Sequence, residues 1–161
     1  MSSTTKIPPS ARTAQAKPGP QVRQFSIFLE NKCGRLLEVL RLFEKTNIHV
    51  LGISVVDTTD SAVIRLVVDD PDKATEIFHK HQIPFSLTDL VVTELPYGPD
   101  GLVSLLSTLL QAEMNIYYTY SLILHMHGRA VLAFHVEDND LAIDILKRNG
   151  FTILGQADLS R

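Results

Sequence analysis

The sequence predicts an α+β fold of two βαββαβ repeats, each with an antiparallel sheet and helices on one face. Three observations carry this. Apolar residues pass twice, in the same order, between two-residue alternation and helical spacing. Clusters of Pro, Gly, Asp and Asn punctuate both halves at matching places. Landmarks also recur at fixed offsets. Gly34 to Asp100, Leu36 to Leu102 and Val50 to Ile116 are each 66 positions apart, and Asp70 to Asp138, Ala74 to Ala142 and Ile77 to Ile145 are each 68 apart. Agreement at so many positions marks an internal duplication.

The elements follow in order. Phe25, Ile27 and Leu29 alternate with Gln24 and Ser26 on a first strand. Leu36, Val39, Leu40 and Phe43 follow helical spacing, which predicts an amphipathic helix over 35–46. Residues 48–56 are rich in β-formers, 57–60 (Asp-Thr-Thr-Asp) form a turn, and Ala62, Ile64, Leu66 and Val68 alternate on a third strand. Asp70 and Pro71 open a short helix as N-cap and first residue. A fourth strand is expected near 84–87.

The second half repeats this plan: a strand over 90–95, a Pro/Gly-rich loop over 96–101, and a helix lined by Leu102, Leu105, Leu106 and Leu109. Strands over 115–124 and 130–136, a helix opened by Asp138-Asn139-Asp140 and a last strand over 151–154 complete it. The two residues that change the offset from 66 to 68 are expected in the second hairpin turn, where insertion is tolerated. The expected domains are a disordered tail over 1–21, a first unit over 22–88 and a second over 89–161. Pro8, Pro9, Pro18 and Pro20 give the tail too little apolar area to offset ordering. Each unit has the ferredoxin-like order. Ile53, Val55, Val63 and Val67 are expected on the helix-free face of the first sheet, and Val131 and Ala133 on that of the second. Such apolar faces require cover, from each other or from a second chain.

Bulk properties narrow the function. The formal net charge is −3, with 45% hydrophobic and 20% charged residues, which argues against a broad nucleic-acid footprint. No apolar run approaches the ~20 residues that span a bilayer. Cys33 is the only cysteine, so no internal disulfide or cysteine-based zinc site is expected, and a cytoplasmic setting fits best.

On two stretches, ENKCGRLLEVLRLFEKTNIHVLGI (30–53) and PYGPDGLVSLLSTLLQAEMNIYYTY (96–120), the chain resembles tandem ACT-domain proteins. The resemblance covers 22–161. Such domains usually show Asn-x-Pro-Gly-x-Leu at the first turn and Asn-Ile opening the second strand. Here Cys33 replaces that Pro, and Asp100 stands at the turn glycine, flanked by Gly98 and Gly101. The resemblance implies a non-catalytic regulatory protein that binds a free amino acid between two domains. It implies a homo-oligomer, expected as a dimer, and a biosynthetic enzyme as partner, with no nucleic acid, membrane, metal or cofactor. The alternative is a structural subunit of such an enzyme with no ligand of its own.

A turn leading into a helix leaves amide donors without partners, and these suit a carboxylate. Carried over by position, the expected site joins Asn31, Lys32, Cys33, Gly34, Arg35 and Leu36 to Met114, Asn115 and Ile116 of the other half. A second, weaker site joins His49 to Tyr97, Gly98, Pro99, Asp100, Gly101 and Leu102. Other candidates weigh less. Tyr118 and Tyr120 should share one strand face, with Tyr117 opposite, and pack at an interface. His125 and His127 read as a solvated hairpin rather than a metal pair, and Cys33 has no base to make it a nucleophile.

Overall fold

The computed structural model describes residues 21–30 and 34–160. The elements are β1 (Val22–Glu30), α1 (Arg35–Arg41), β2 (Val50–Asp57), β3 (Ser61–Val68), α2 (Pro71–Lys80), β4 (Phe85–Leu95), α3 (Pro99–Gln111), β5 (Ile116–Met126), β6 (Arg129–Val136), α4 (Asn139–Arg148), β7 (Ile153–Leu154) and α5 (Gln156–Leu159). The expected α+β class and the doubled βαββαβ order are both present. The tail over 1–20 lies outside the described residues.

The sheet runs β2-β3-β1-β4-β6-β5, with β7 also on β4. Strands expected separately near 84–87 and over 90–95 are one strand, β4. Nothing between them breaks the alternation, and each part has its own partner. Residues 85–90 pair with β1 and 91–95 with β6. The junction expected between 88 and 89 falls inside this strand.

The duplication extends to irregularities of the backbone. A register shift between Val50 and Gly52 in β2 recurs between Ile116 and Tyr118 in β5, 66 positions later. It also corrects one expectation. The extra residue at Leu51 turns Ile53 onto the helix face, where it packs against the first core, and Val55 follows by pairing with Ile64. The second hairpin turn is tight, with Met126 opposite Arg129. The inserted residues are instead a bulge between Ser121 and His125 of β5.

Helix α1 ends at Arg41, short of the expected 46. Residues 42–46 continue as turns, in which the N–H groups of Leu42, Phe43, Glu44 and Thr46 bond three residues back. The Thr46 hydroxyl donates to the Phe43 carbonyl at 2.7 Å, a local bond that competes with the helical ladder. Phe43 still reaches the core, where it meets Phe78 edge-on. Asp70 caps α2 by accepting from the Lys73 amide, and Asp138 caps α4 by accepting from the Leu141 amide. Helix α5 has no counterpart in the expected elements. Its Gln156 side chain accepts from the Arg23 amide and donates to the Val68 carbonyl, fastening the end of the chain to the first half.

Three cores result. One lies under α1 and α2 and is built on Phe25, Ile27, Leu66 and Phe78. A second lies under α3 and α4, on Val91, Leu105, Leu109 and Phe134. The third joins the helix-free faces: Val22, Val67 and Leu90 with Val92, Leu122, Val131 and Ala133. The expectation that Val67, Val131 and Ala133 are covered by the other half is met within one chain. Strand β2, at one end of the path, lies against β5 at the other. A Cβ on Gly52 would come 2.5 Å from Leu122 Cδ2, so the Leu122 side chain would have to shift to admit one.

Candidate functional site

At the first turn, Asn31, Lys32 and Cys33 lie outside the described residues. Gly34 follows as the N-cap of α1 at φ 89°, with no side-chain cap. Its positive φ explains why the sequence spends a glycine there. Arg35 bonds to Glu38 at 2.9 Å and, with Phe28, Leu29, Glu38 and Val39, lines a groove of the first half. Leu36 packs on the first core. The expected partners lie at the mouth of β5. Met114 is buried, Ile116 packs on the second core, and the Asn115 carbonyl accepts from the Glu137 amide. The Asn115 carboxamide is exposed and makes no hydrogen bond among the described residues. Met114 lines an acidic groove with Asp89, Glu113 and Glu137, so Arg35 and Met114 face different grooves.

The weaker set is arranged differently. His49 holds the place equivalent to Asn115, and its carbonyl accepts from the Asp69 amide in the same way. Its ring, however, is engaged: Nδ1 lies 2.8 Å from the Asp69 carboxylate. His49 lines a groove that spans both halves, with Leu51 and Asp69 opposite Leu124, His125 and Met126. Tyr97 is exposed at φ 62°, Gly98 is the N-cap of α3, and Pro99 and Asp100 occupy its first turn. Gly101 is buried against the Pro96 carbonyl, where a Cβ would lie 1.7 Å away. Leu102 is partly exposed. This turn thus keeps a positive-φ glycine at its N-cap, Gly98 at φ 59°, and adds Gly101, which close approach to the backbone requires.

Sequence reasoning missed a polar cluster between the helix-free faces. Gln24 is fully buried. Its amide donates to Tyr118 Oη at 2.7 Å, and its carbonyl accepts from Tyr120 Oη at 2.7 Å. The Arg65 guanidinium sits 3.6 Å from the centre of the Tyr118 ring. The His135 ring packs on Tyr118 from 5.0 Å, and its Nδ1 is buried without a hydrogen-bond partner. Burial raises the Tyr120 hydroxyl above the ordinary phenol range, assisted by Tyr118. Burial, then the Arg65 charge, lowers His135, so the ring is held neutral. Tyr118 and Tyr120 share the face expected of them, but Tyr117, expected opposite, is the extra residue of the bulge and, though exposed, also packs its ring on His135 at 5.0 Å. The available signal was polar parity: Gln24, Ser26 and Arg65 all fall on the helix-free face, where an all-apolar surface was expected.

Two further features bear on chemistry. Glu94 is buried and paired with His127 at 2.6 Å and Arg129 at 3.6 Å, so the hairpin read as a solvated turn holds an ion pair. Among the described residues, no group of three or more His, Cys, Asp or Glu side chains is arranged for a metal, and no helix is long and apolar enough to cross a membrane.

Comparison with known proteins agrees with this architecture. The family model for an ACT domain pair matches residues 21–161. A protein of solved structure from Bacteroides thetaiotaomicron is 31% identical, superposes with a TM-score of 0.79, and is covered over 96% of its length by 88% of this chain. The ligand-free regulatory subunit of aspartate kinase from Thermus thermophilus is 13% identical, with a TM-score of 0.55 over 83% of this chain and 95% of that one. The regulatory subunit from Thermus flavus is 14% identical, with a TM-score of 0.52 over 80% and 92%. At these identities the aspartate kinase subunits show the fold alone. A search of curated proteins returned no significant match. By the family model and the relative at 31% identity, the chain belongs to the ACT domain pair family.

Proposed function

We propose that this chain is a non-catalytic regulatory protein that binds a free amino acid between its two halves, and that the bound ligand shifts how chains associate or meet a biosynthetic enzyme. The observation that carries this reading is the third core, which packs the two helix-free faces of an ACT pair inside one chain. A ligand seated at the edge of this contact touches both halves and so acts on their relative arrangement. The regulatory subunits among the structural neighbours are consistent with that use. The proposed site joins the first turn, Asn31 to Leu36, with Met114, Asn115 and Ile116, which requires the ligand to bridge the separate grooves that Arg35 and Met114 line. The free carboxamide of Asn115 both donates and accepts, as an ammonium-carboxylate ligand requires. A homodimer and a cytoplasmic setting belong to the same proposal.

A structural subunit without a ligand is the second reading, and the engaged ring of His49 favours it at the other site. A thermal-shift screen with the twenty amino acids separates the two. A ligand that binds only the folded chain must raise the melting temperature by mass action. The regulatory reading expects one amino acid, at millimolar concentration, to do so in wild type and to lose much of that effect in Asn31→Ala and Asn115→Ala. No shift with any of the twenty leaves the structural subunit as the reading.

A further inference from the structure

The polar cluster between the sheets is one-sided. Gln24 and Arg65 come from the first half, and Tyr118, Tyr120 and His135 from the second. At the equivalent places of the opposite half stand Leu90 for Gln24, Ala133 for Arg65, Gly52 for Tyr118, Ser54 for Tyr120 and Val67 for His135. Leu90, Ala133 and Val67 there belong to the apolar third core. The duplication thus places a packed hydrocarbon contact on one side of its pseudo-symmetry and an array of donors on the other. Packing alone does not account for the donors, because the apolar version of the same contact exists in the same molecule.

Arg65 is half-buried on β3, beside Ser54 of β2 and Ser26 of β1. Its guanidinium rests on the Tyr118 ring and makes no hydrogen bond or ion pair among the described residues. A guanidinium fork matches a carboxylate, and stacking on an aromatic ring fixes its plane while leaving its N–H groups free. His135 packs on the same ring, and its Nδ1 is a buried ring nitrogen without a partner among the described residues. In its Nδ1–H tautomer it donates. Among the described residues no carboxylate is paired with this cluster, although the chain as a whole is acidic. The cluster lies near the start of β5, shortly after Asn115, against the early part of β1 and the middle of β3.

We propose that Arg65, steadied by Tyr118 and joined by His135, receives a carboxylate group of a small molecule bound between the two halves. This deepens the amino-acid reading and rests on it for the ligand's identity. It moves the anion from the turn amides to side chains of β3 and β6. It also predicts that only one of the two pseudo-equivalent positions binds, because the other holds Ala133 and Val67.

The test follows thermal unfolding of the full chain in sodium succinate, in neutral succinamide, in sodium chloride at matched sodium, and in each of the twenty amino acids. It uses wild type, Arg65→Gln and His135→Gln. A carboxylate is expected to raise the wild-type melting temperature above the succinamide and chloride controls. Arg65→Gln should weaken the apparent affinity at least about tenfold, and His135→Gln should weaken it less. An equal shift in wild type and Arg65→Gln overturns the proposal, as does the absence of any carboxylate-dependent shift. If Arg65→Gln does not fold, wild-type tyrosine emission decides. The chain has no tryptophan and four tyrosines, three of them on β5, so a carboxylate at Tyr118 must alter the emission and succinamide must not. Unchanged emission across the titration overturns the proposal. A succinate shift that Arg65→Gln abolishes, with no amino acid active, supports this site and rejects the amino-acid reading. An amino-acid shift that survives in Arg65→Gln does the reverse.

Discussion

The two halves share strand order, helix-capping aspartates and even a β-bulge at equivalent positions, yet they differ wherever a ligand could be met. Arg35 opens α1 on the surface, and its counterpart Gly101 is buried against the Pro96 carbonyl. Asn115 leaves its carboxamide free, and its counterpart His49 is tied to Asp69. Gln24 is a buried hydrogen-bonding centre, and its counterpart Leu90 is plain core. The repeated features are those that any βαββαβ unit needs to close its own core. The divergent ones lie at helix starts, at strand openings and on the shared helix-free faces, where the constraint comes from the other half or from a ligand.

That comparison can be broken most strongly at its backbone contact. Gly101→Ala must push the Pro96 carbonyl aside, and is expected to cost about 3 kcal/mol or more, read as a lowered denaturant midpoint. Arg35→Ala, at the equivalent residue, removes only an exposed ion pair with Glu38, and should cost less than about 1 kcal/mol. Equal effects would mean that the two turns are not built differently.

Next in size is Gln24→Leu, which gives the first half the residue of the second. It leaves the Tyr118 and Tyr120 hydroxyls without their partner, a loss of about 2 kcal/mol. In a Tyr118→Phe/Tyr120→Phe background the same change should be nearly neutral, because no unpaired phenol remains. A full cost in that background would show that the amide matters for shape rather than for hydrogen bonding.

A smaller effect is pH-dependent. Tyr120 stays protonated in the folded chain above the ordinary phenol value of 10.0. Above that value the unfolded chain has lost a proton that the folded chain keeps. The stability this group contributes is therefore complete below pH 10 and declines as pH rises past it, with a slope of at most about 1.4 kcal/mol per pH unit. His135 works in the opposite direction. Its folded value is lowered, so its contribution is complete above the ordinary histidine value of 6.5 and declines as pH falls through it. Chemical denaturation of Tyr120→Phe against wild type should remove the alkaline slope, and His135→Gln should flatten the acid one. Ser54 and Val67, at the equivalent places, add nothing to either limb.

Much of the fold was legible because its signals are local. Alternating Phe25, Ile27 and Leu29, the Asp70-Pro71 cap and the 66-position offsets each read out one element or one repeat. The errors came from non-local causes. The bulge at Leu51 reverses the face of Ile53, and only pairing with β3 reveals it. The single strand β4 depends on β1 and β6 both being present to pair with it. Val67, Val131 and Ala133 make the helix-free face apolar as their alternation predicts, but Gln24 and Arg65 share it. Their purpose is visible only once β5 is folded over them. Gly34 and Arg35 open α1 and Asn115 precedes β5, as turn and strand signals predict, but those local signals say nothing of the separate grooves that Arg35 and Met114 line. The distinction between a free Asn115 and an engaged His49 needed the position of Asp69, twenty residues further along the chain from His49.

The central claim is that the inter-half site is unequal and that the Asn115 side is the competent one. Isothermal titration of the amino acid with the largest thermal shift, against wild type, Asn115→Ala and His49→Ala, tests it directly. The account predicts that Asn115→Ala weakens binding about tenfold, the loss expected for one hydrogen bond to a charged ligand group, and that His49→Ala leaves it unchanged. Binding that survives in Asn115→Ala and collapses in His49→Ala would contradict it and place the ligand in the groove between His49 and the end of β5.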